Sequence, residues 1–124
     1  MIPKFRVWDT VKKAMHDVQA IVYTEERVYP IYSKLIRKYI PFGEAILMQY
    51  TGLKDKNGVE VFEGDILYYP EQDEDRYGYI EFDKDRLAFV LDNGFEKFVY
   101  GEYGMGYIVG NIYENPELLE SVEE

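Results

Sequence analysis

Residues 48–69 read MQYTGLKDKNGVEVFEGDILYY, and this stretch decides the fold. Asn57-Gly58 is its strongest local signal. Both residues tolerate the positive φ of a tight turn, so the chain reverses there, with Asp55 and Lys56 as soluble turn residues before it. Val59, Val61 and Phe62 follow as β-formers, with Glu60 between the valines. At Glu63-Gly64-Asp65 the chain can bend again. Gly64 takes conformations closed to other residues, and Asp65 can hydrogen-bond nearby backbone N–H groups. Ile66-Leu67-Tyr68-Tyr69 is too short for a helix, suits a strand buried on both faces and ends at Pro70. Strand, sharp corner and strand in that order are typical of small, strongly bent β-barrels.

Upstream, Ala45–Tyr50 leads into this stretch as a strand. At the start, Phe5 and Val7 alternate with Arg6 and Trp8, a strand pattern with both faces partly covered. Asp9–Lys13 supplies a polar turn, and Met15–Tyr23 returns to complete an N-terminal β-hairpin. Trp8, the only tryptophan, reads as a core anchor, with ligand stacking as the alternative. After the polar break at Thr24–Arg27, Val28–Tyr32 suits an edge strand around Pro30. Ser33–Ile40 reads as a helix. Ser33 can cap it, Leu35, Ile36, Tyr39 and Ile40 share a face, and Pro41 and Gly43 end it; a strand is the competing reading. Lys34, Arg37 and Lys38 lie off the apolar face and form the expected partner- or anion-contact spot, against the plainer reading of a solvated face.

Downstream, Glu71–Arg76 reads as an acidic surface loop. Tyr77–Phe82, Leu87–Leu91 and Phe95–Tyr100 follow as strands, with turns at Asp83-Lys84-Asp85 and Asp92-Asn93-Gly94. This is a meander consistent with a small barrel. Gly101–Gly106 reads as a flexible aromatic segment, Tyr107–Val109 as the last strand and Gly110-Asn111 as a corner. Asn115-Pro116-Glu117 is a helix start, with Leu118 and Leu119 seating that helical turn. Ser121–Glu124 should fray.

Several of these strings resemble one family. Lys4-Phe5-Arg6 with Trp8-Asp9, the run Met48–Gly58, Glu63-Gly64-Asp65-Ile66 and the run Val109–Leu119 are similar to the YopX family, found in bacterial phages and prophages. The resemblance spans nearly the whole chain. It implies a mostly β protein with an SH3-like barrel, and no established activity or assigned catalytic residue. Val18–Ile46 and Glu71–Gly106 lack the family strings, so partner-specific features could differ there.

The expected fold class is therefore mainly β (α+β at most), an SH3-like small barrel with an N-terminal β-hairpin and short helical turns. We expect one domain over residues 1–124, with a hairpin and helix part at 1–47 and a barrel part at 48–119. The chain has 124 residues, 47% of them hydrophobic, enough for a core. Thirteen tyrosines and seven phenylalanines favour β-structure, and tyrosine also serves interfaces, where the ring packs while the hydroxyl stays wet. There is no cysteine, which excludes disulfides, thiolate catalysis and Cys-based zinc sites. The start MIPKFRVWD is charged where a signal peptide needs an apolar run, and no stretch approaches the ~20 apolar residues of a membrane span. A soluble protein of the host cytoplasm is expected.

The net charge of −10 is unevenly placed. Residues 1–62 carry 10 Lys and Arg against 7 Asp and Glu, and residues 63–124 carry 4 against 17. Such a chain disfavours generic nucleic-acid binding, although a local basic patch could act alone. The basic part of one copy could meet the acidic part of another.

No chemistry stands out from the residues. Asp73, Glu74 and Asp75 could ligate Ca²⁺ or Mg²⁺, but lack EF-hand spacing and fit a solvated loop better. His16 is the only histidine, and Ser33 and Ser121 the only serines, with no nucleophile elbow. Glu63 and Asp65 could divide acid and base roles, yet Asp65 reads as fixing the corner. Gly101, Gly104, Gly106 and Gly110 match no phosphate-binding spacing. We therefore expect no catalytic, cofactor or metal residues. The expectation is a phage- or prophage-encoded, non-enzymatic, self-associating protein-interaction module that forms a homo-oligomer and binds an unidentified host or phage protein. The alternative is a nucleic-acid-associated role, through a local basic patch or by acidic DNA mimicry.

Overall fold

The structure is a computed structural model and describes residues 2–31, 37–71, 74–99 and 106–120. Two compact units divide the chain, residues 1–50 and 51–124.

The strands of the first unit are β1 (Phe5–Asp9), β2 (Ala14–Val22), β3 (Arg27–Pro30), β4 (Ile40–Pro41) and β5 (Ala45–Lys54), the last preceded by a 3-10 turn at Phe42–Glu44. β5 runs on past the boundary. The second unit adds β6 (Glu60–Phe62), β7 (Asp65–Glu71), β8 (Glu74–Asp83), β9 (Ala88–Asp92), β10 (Lys97–Val99), β11 (Tyr107–Asn111) and a helical turn α1 (Glu117–Glu120). The strands form two antiparallel sheets, ordered β4-β3-β2-β1-β5-β6 and β10-β9-β8-β7-β11. Mainly β is thus the observed class. Among the described residues the strand order of neither sheet closes on itself.

Each unit has its own core. Val7, Val28 and Ile40 are fully buried in the first, with Val18, Phe42, Ala45 and Leu47 packed against them. The second buries Val61, Leu67, Tyr69, Ile80 and Leu91, flanked by Phe89 and Ile108. Trp8 is 6% exposed and its neighbour Val7 is fully buried, so both faces of β1 are covered as its alternation implied. The anchor reading of Trp8 fits this burial.

One device recurs at the reversals. An Asp or Asn opens the turn, and its carboxylate or amide oxygen accepts N–H groups two to four residues on. Asp9 takes Val11 and Lys12, Asp55 takes Asn57 and Val59, and Asp83 takes Asp85 and Arg86. Asn93 takes Phe95 and Glu96, and Asn111 takes Tyr113 and Glu114. The corner at Gly64 works differently. Gly64 has φ +86°, and buried Asp65 reaches back to accept Phe62 N–H at 2.8 Å.

Several expectations need correction. At the Asn57-Gly58 turn only Gly58 takes a positive φ, +81°. The reversal closes through Gly58 N–H to Asp55 C=O and Asp55 N–H to Val59 C=O, so the loop is longer than a two-residue turn. Asp55 is an organiser rather than a mere soluble turn residue. β7 does not stop at Pro70 but passes through it to Glu71, pairing Pro70 with Asp75. The loop expected at Glu71–Arg76 is therefore mostly strand, because alternating residues of β7 and β8 continue to match. Pro30 ends β3, an inner strand, at a position beyond the reach of the two-residue β4, so the proline still meets no ladder partner on that side. Half of the expected helix at Ser33–Ile40, residues 33–36, lies outside the described residues; Arg37–Tyr39 are not helical and Ile40 is in β4. Leu87 lies in a turn with φ +52° rather than in β9. Gly110 and Asn111 belong to β11. Asn115 Oδ1 accepts Asn111 N–H, and Asn115 C=O accepts Leu118 N–H at the start of α1. α1 packs against β8. Ser121–Glu124 lie outside the described residues. Among the described residues no helix is long and apolar enough to cross a membrane.

Candidate contact face

Strand register puts three tyrosines in a row across the second unit. Tyr77 on β8 is directly opposite Tyr68 on β7, and Tyr68 is directly opposite Tyr107 on β11. Directly opposed residues of antiparallel strands share a face. The Tyr68 and Tyr77 rings are 5.5 Å apart, tilted by 53°. Tyr68 and Tyr77 are half-buried and Tyr107 is 37% exposed. Exposed Pro70, opposite exposed Asp75, extends the face at one end. At the other end Lys56 Nζ lies 5.8 Å from the Tyr107 ring centroid, within cation–π reach.

Two networks fix this row. Tyr68 Oη donates to Asp75 Oδ1 at 2.7 Å, and that bond, then burial, raises the tyrosine pKa. Asp55, from the central turn, accepts the N–H of Ile108 at 3.0 Å, and Lys56 N–H donates to Gly106 C=O. The turn thereby pins the start of β11, the outermost strand of its sheet, and places Tyr107. The Asp55 carboxyl would be raised by burial, but the N–H groups of Ile108, Val59, Asn57 and Gly58 outweigh this and hold it below its ordinary value.

Further along the same face, Tyr79 stands opposite Ile66 and Asp92. Its Oη lies 3.2 Å from Asp92 Oδ2 and 3.3 Å from Glu81 Oε2. Burial, and then the charges of Asp92 and Glu81, push its pKa far above the usual value, so it remains a proton donor. Lys97 Nζ pairs with Glu81 Oε1 at 3.0 Å, and that bond raises the lysine pKa. Beside this cluster an open groove of about 500 Å³ is lined by Arg86, Asp92, Gly94, Phe95, Glu96 and Lys97. Phe95 is 70% exposed there. The raised tyrosine values keep Tyr68 and Tyr79 protonated, and the shifts of Asp55 and Lys97 keep those two groups charged.

The residues singled out from sequence are not brought together here. Lys34 lies outside the described residues. Arg37 is engaged by acids: Nε and Nη2 each lie 2.9 Å from a different oxygen of Asp9, and Nη1 lies 2.9 Å from Glu44. Lys38 is exposed on a bend. His16 pairs across from Val7 in β2, while Ser33 and Ser121 lie outside the described residues, as does Asp73. Glu74 pairs with Arg76 and Asp75 with Tyr68, and among the described residues no three metal-ligating side chains gather. Gly101 and Gly104 lie outside the described residues. Gly106 (φ +102°) and Gly110 have packing reasons instead: a Cβ would meet Tyr68 C=O at the first and the Asn115 side chain at the second.

Sequence reasoning did not find the tyrosine row. Tyr68 and Tyr77 stand at equal distances from the β7–β8 reversal, and that symmetry was the available signal; the pairing of Tyr107 with Tyr68 had none.

Fold and face together define a small, mainly β protein with a surface of fixed charges and register-held tyrosine rings. Residues 4–120 match the family model described as YopX protein, and the chain belongs to the YopX family. The crystal structure of protein EF1440 from Enterococcus faecalis is similar, at 32% identity and a TM-score of 0.72, covering 96% of this chain and 99% of that one. The fold is also that of protein yopX from Bacillus subtilis, at 20% identity and a TM-score of 0.64, covering 94% and 95%. No curated protein matches the chain.

Proposed function

We propose that this chain is a phage- or prophage-encoded, non-enzymatic contact module of the host cytoplasm, that it associates with its own copies, and that it binds a host or phage protein. The observation that carries the reading is the half-exposed tyrosine row Tyr77-Tyr68-Tyr107 with Asp75 and Lys56 at its margins. Ordered tyrosine rings contribute contact area at little entropic cost, since the bonds already made have fixed them. In this reading the second unit is a bent sheet of the SH3-like kind. Sedimentation velocity across salt concentrations, with affinity capture from phage-infected cells, tests it. A salt-sensitive oligomer and a recovered partner are expected; a monomer at every ionic strength with nothing captured contradicts it.

A second reading, acidic mimicry of DNA, is favoured by Asp75, Glu81, Asp83 and Asp92 on the same face. Lys97 neutralises Glu81 and Arg86 neutralises Asp83, which leaves it the weaker of the two. It predicts competition with DNA for a host protein. The basic-patch form of a nucleic-acid role would centre on Lys34 and Lys38, since Arg37 is held by acids, and predicts an oligonucleotide retarded in a gel and released by salt.

A further inference from the structure

The first unit presents a built turn with chemistry opposite to that of the tyrosine face. Between β1 and β2, Val11 is 56% exposed, and Lys12 and Lys13 are exposed beside it. The turn is held from beneath. Asp9, 1% exposed, accepts Val11 and Lys12 N–H at 3.0 Å each and is itself clamped by Arg37. Thr10 donates through both N–H and Oγ1 to Glu44 C=O, and Glu44 returns to Arg37. Lys13 is kept at φ +56°, a left-handed conformation that a lysine seldom adopts, with its N–H on Asp9 C=O. Backbone strain of this kind persists where the surroundings over-determine it, and the Asp9, Arg37 and Glu44 bonds do so here. The device fixes the backbone that carries one exposed aliphatic side chain and two exposed lysines.

Charge selects the matching surface. Residues 1–50 carry 8 Lys and Arg against 5 Asp and Glu, whereas residues 51–124 carry 6 against 19. Aromatic rings with a nearby carboxylate receive an ammonium group, whereas a phosphate would meet Asp75 and be repelled.

We infer that the Val11-Lys12-Lys13 turn of one copy docks on the Tyr77-Tyr68-Tyr107 row of a second copy, with a lysine over the rings and Asp75 as its counter-charge. The inference rests on the self-association proposed above and names its two surfaces.

The test is sedimentation equilibrium of the full chain at low salt. Lys12→Glu with Lys13→Glu should weaken association at least about tenfold, Lys12→Gln with Lys13→Gln should weaken it less, and Tyr107→Ala should weaken it independently. Adding Asp75→Lys to the double glutamate variant should recover part of the loss. Circular dichroism of each variant should match the parent, since the substituted lysines are exposed. An associating parent whose lysine variants associate equally well overturns this contact and leaves self-association standing. Loss without recovery by Asp75→Lys overturns the tyrosine face as the receiving surface. A parent that is monomeric throughout overturns the proposed self-association itself. Oligonucleotide binding that is lost with the two lysines, in a chain whose self-association they do not affect, assigns the turn to nucleic acid and overturns the inference.

Discussion

Replacing Asp55 by alanine should loosen the second unit more than a half-buried turn residue ordinarily does. The carboxylate accepts three backbone N–H groups: Asn57 at 2.8 Å, Val59 at 2.9 Å and Ile108 at 3.0 Å. The first two are local and exposed, so water can replace the acceptor at about 0.5–1 kcal/mol each; the third lies on half-buried β11 and costs about 1–2 kcal/mol. The sum is about 2–4 kcal/mol, or roughly 8–15 °C in Tm for a chain of this size. Asp55→Asn keeps an oxygen for the turn but turns an amide NH2 toward Ile108 N–H, so it should lose about 1–2 kcal/mol. The pH dependence follows from the depressed pKa of Asp55. A carboxyl whose folded value lies below its unfolded value of about 4 stabilises fully above that pH, and the contribution disappears as pH falls through the folded value. Urea unfolding at several pH values, followed by circular dichroism, should therefore show a gap between parent and Asp55→Ala that narrows in acid. An alanine variant within about 0.5 kcal/mol of the parent at neutral pH, or a gap that does not narrow, refutes the role given to this side chain.

Arg37→Met should cost about 2–4 kcal/mol in the same assay, because it strands the buried Asp9 anion on two N–H groups, and adding Asp9→Asn should recover part of it. Burial raises the Asp9 carboxyl, but the Arg37 bond and the N–H groups of Lys12 and Val11 override this and lower its pKa. Its contribution, too, is complete above about pH 4 and fades in stronger acid. Gly106→Ala should destabilise far more than Gly58→Ala. Both have positive φ, but a Cβ at Gly106 would meet Tyr68 C=O at 2.5 Å, whereas nothing lies within 4 Å at Gly58; the latter should cost only about 1 kcal/mol by thermal unfolding. In an alkaline ultraviolet titration Tyr79 should ionise well after the exposed tyrosines, and Tyr79→Phe should remove that late step. Because the folded value is raised, the stability tied to it is complete below about pH 10 and falls as pH rises beyond.

Most of the fold was legible because turn chemistry is local. Asp9, Asp55, Asp83, Asn93 and Asn111 open reversals through bonds that span at most four residues, and the reversals mark the strand ends between them. Positions where a pairing partner overrules the local signal were read less well. Proline ought to end β7, yet Pro70 pairs with Asp75 because the β7–β8 register continues past it. Leu87 looks like a strand residue and is needed in the left-handed position of its turn. The candidate face was least legible. Its row depends on β11 pairing with β7, and the residues that fix it, Asp55 and Ile108, are 53 positions apart. Nothing local in either segment carries that information. Arg37 shows the same limit. A helix pattern placed it on a solvated surface, whereas it serves Asp9, 28 positions away.

The central claim is that the tyrosine row is a surface for contact between protein molecules. The most direct measurement follows the ring resonances of Tyr68, Tyr77 and Tyr107 by NMR as the protein is diluted at low salt. These three should shift together with concentration and stop shifting when salt is added, while buried Tyr69 stays fixed. Three resonances that do not respond to concentration, in a sample whose other residues do, contradict it.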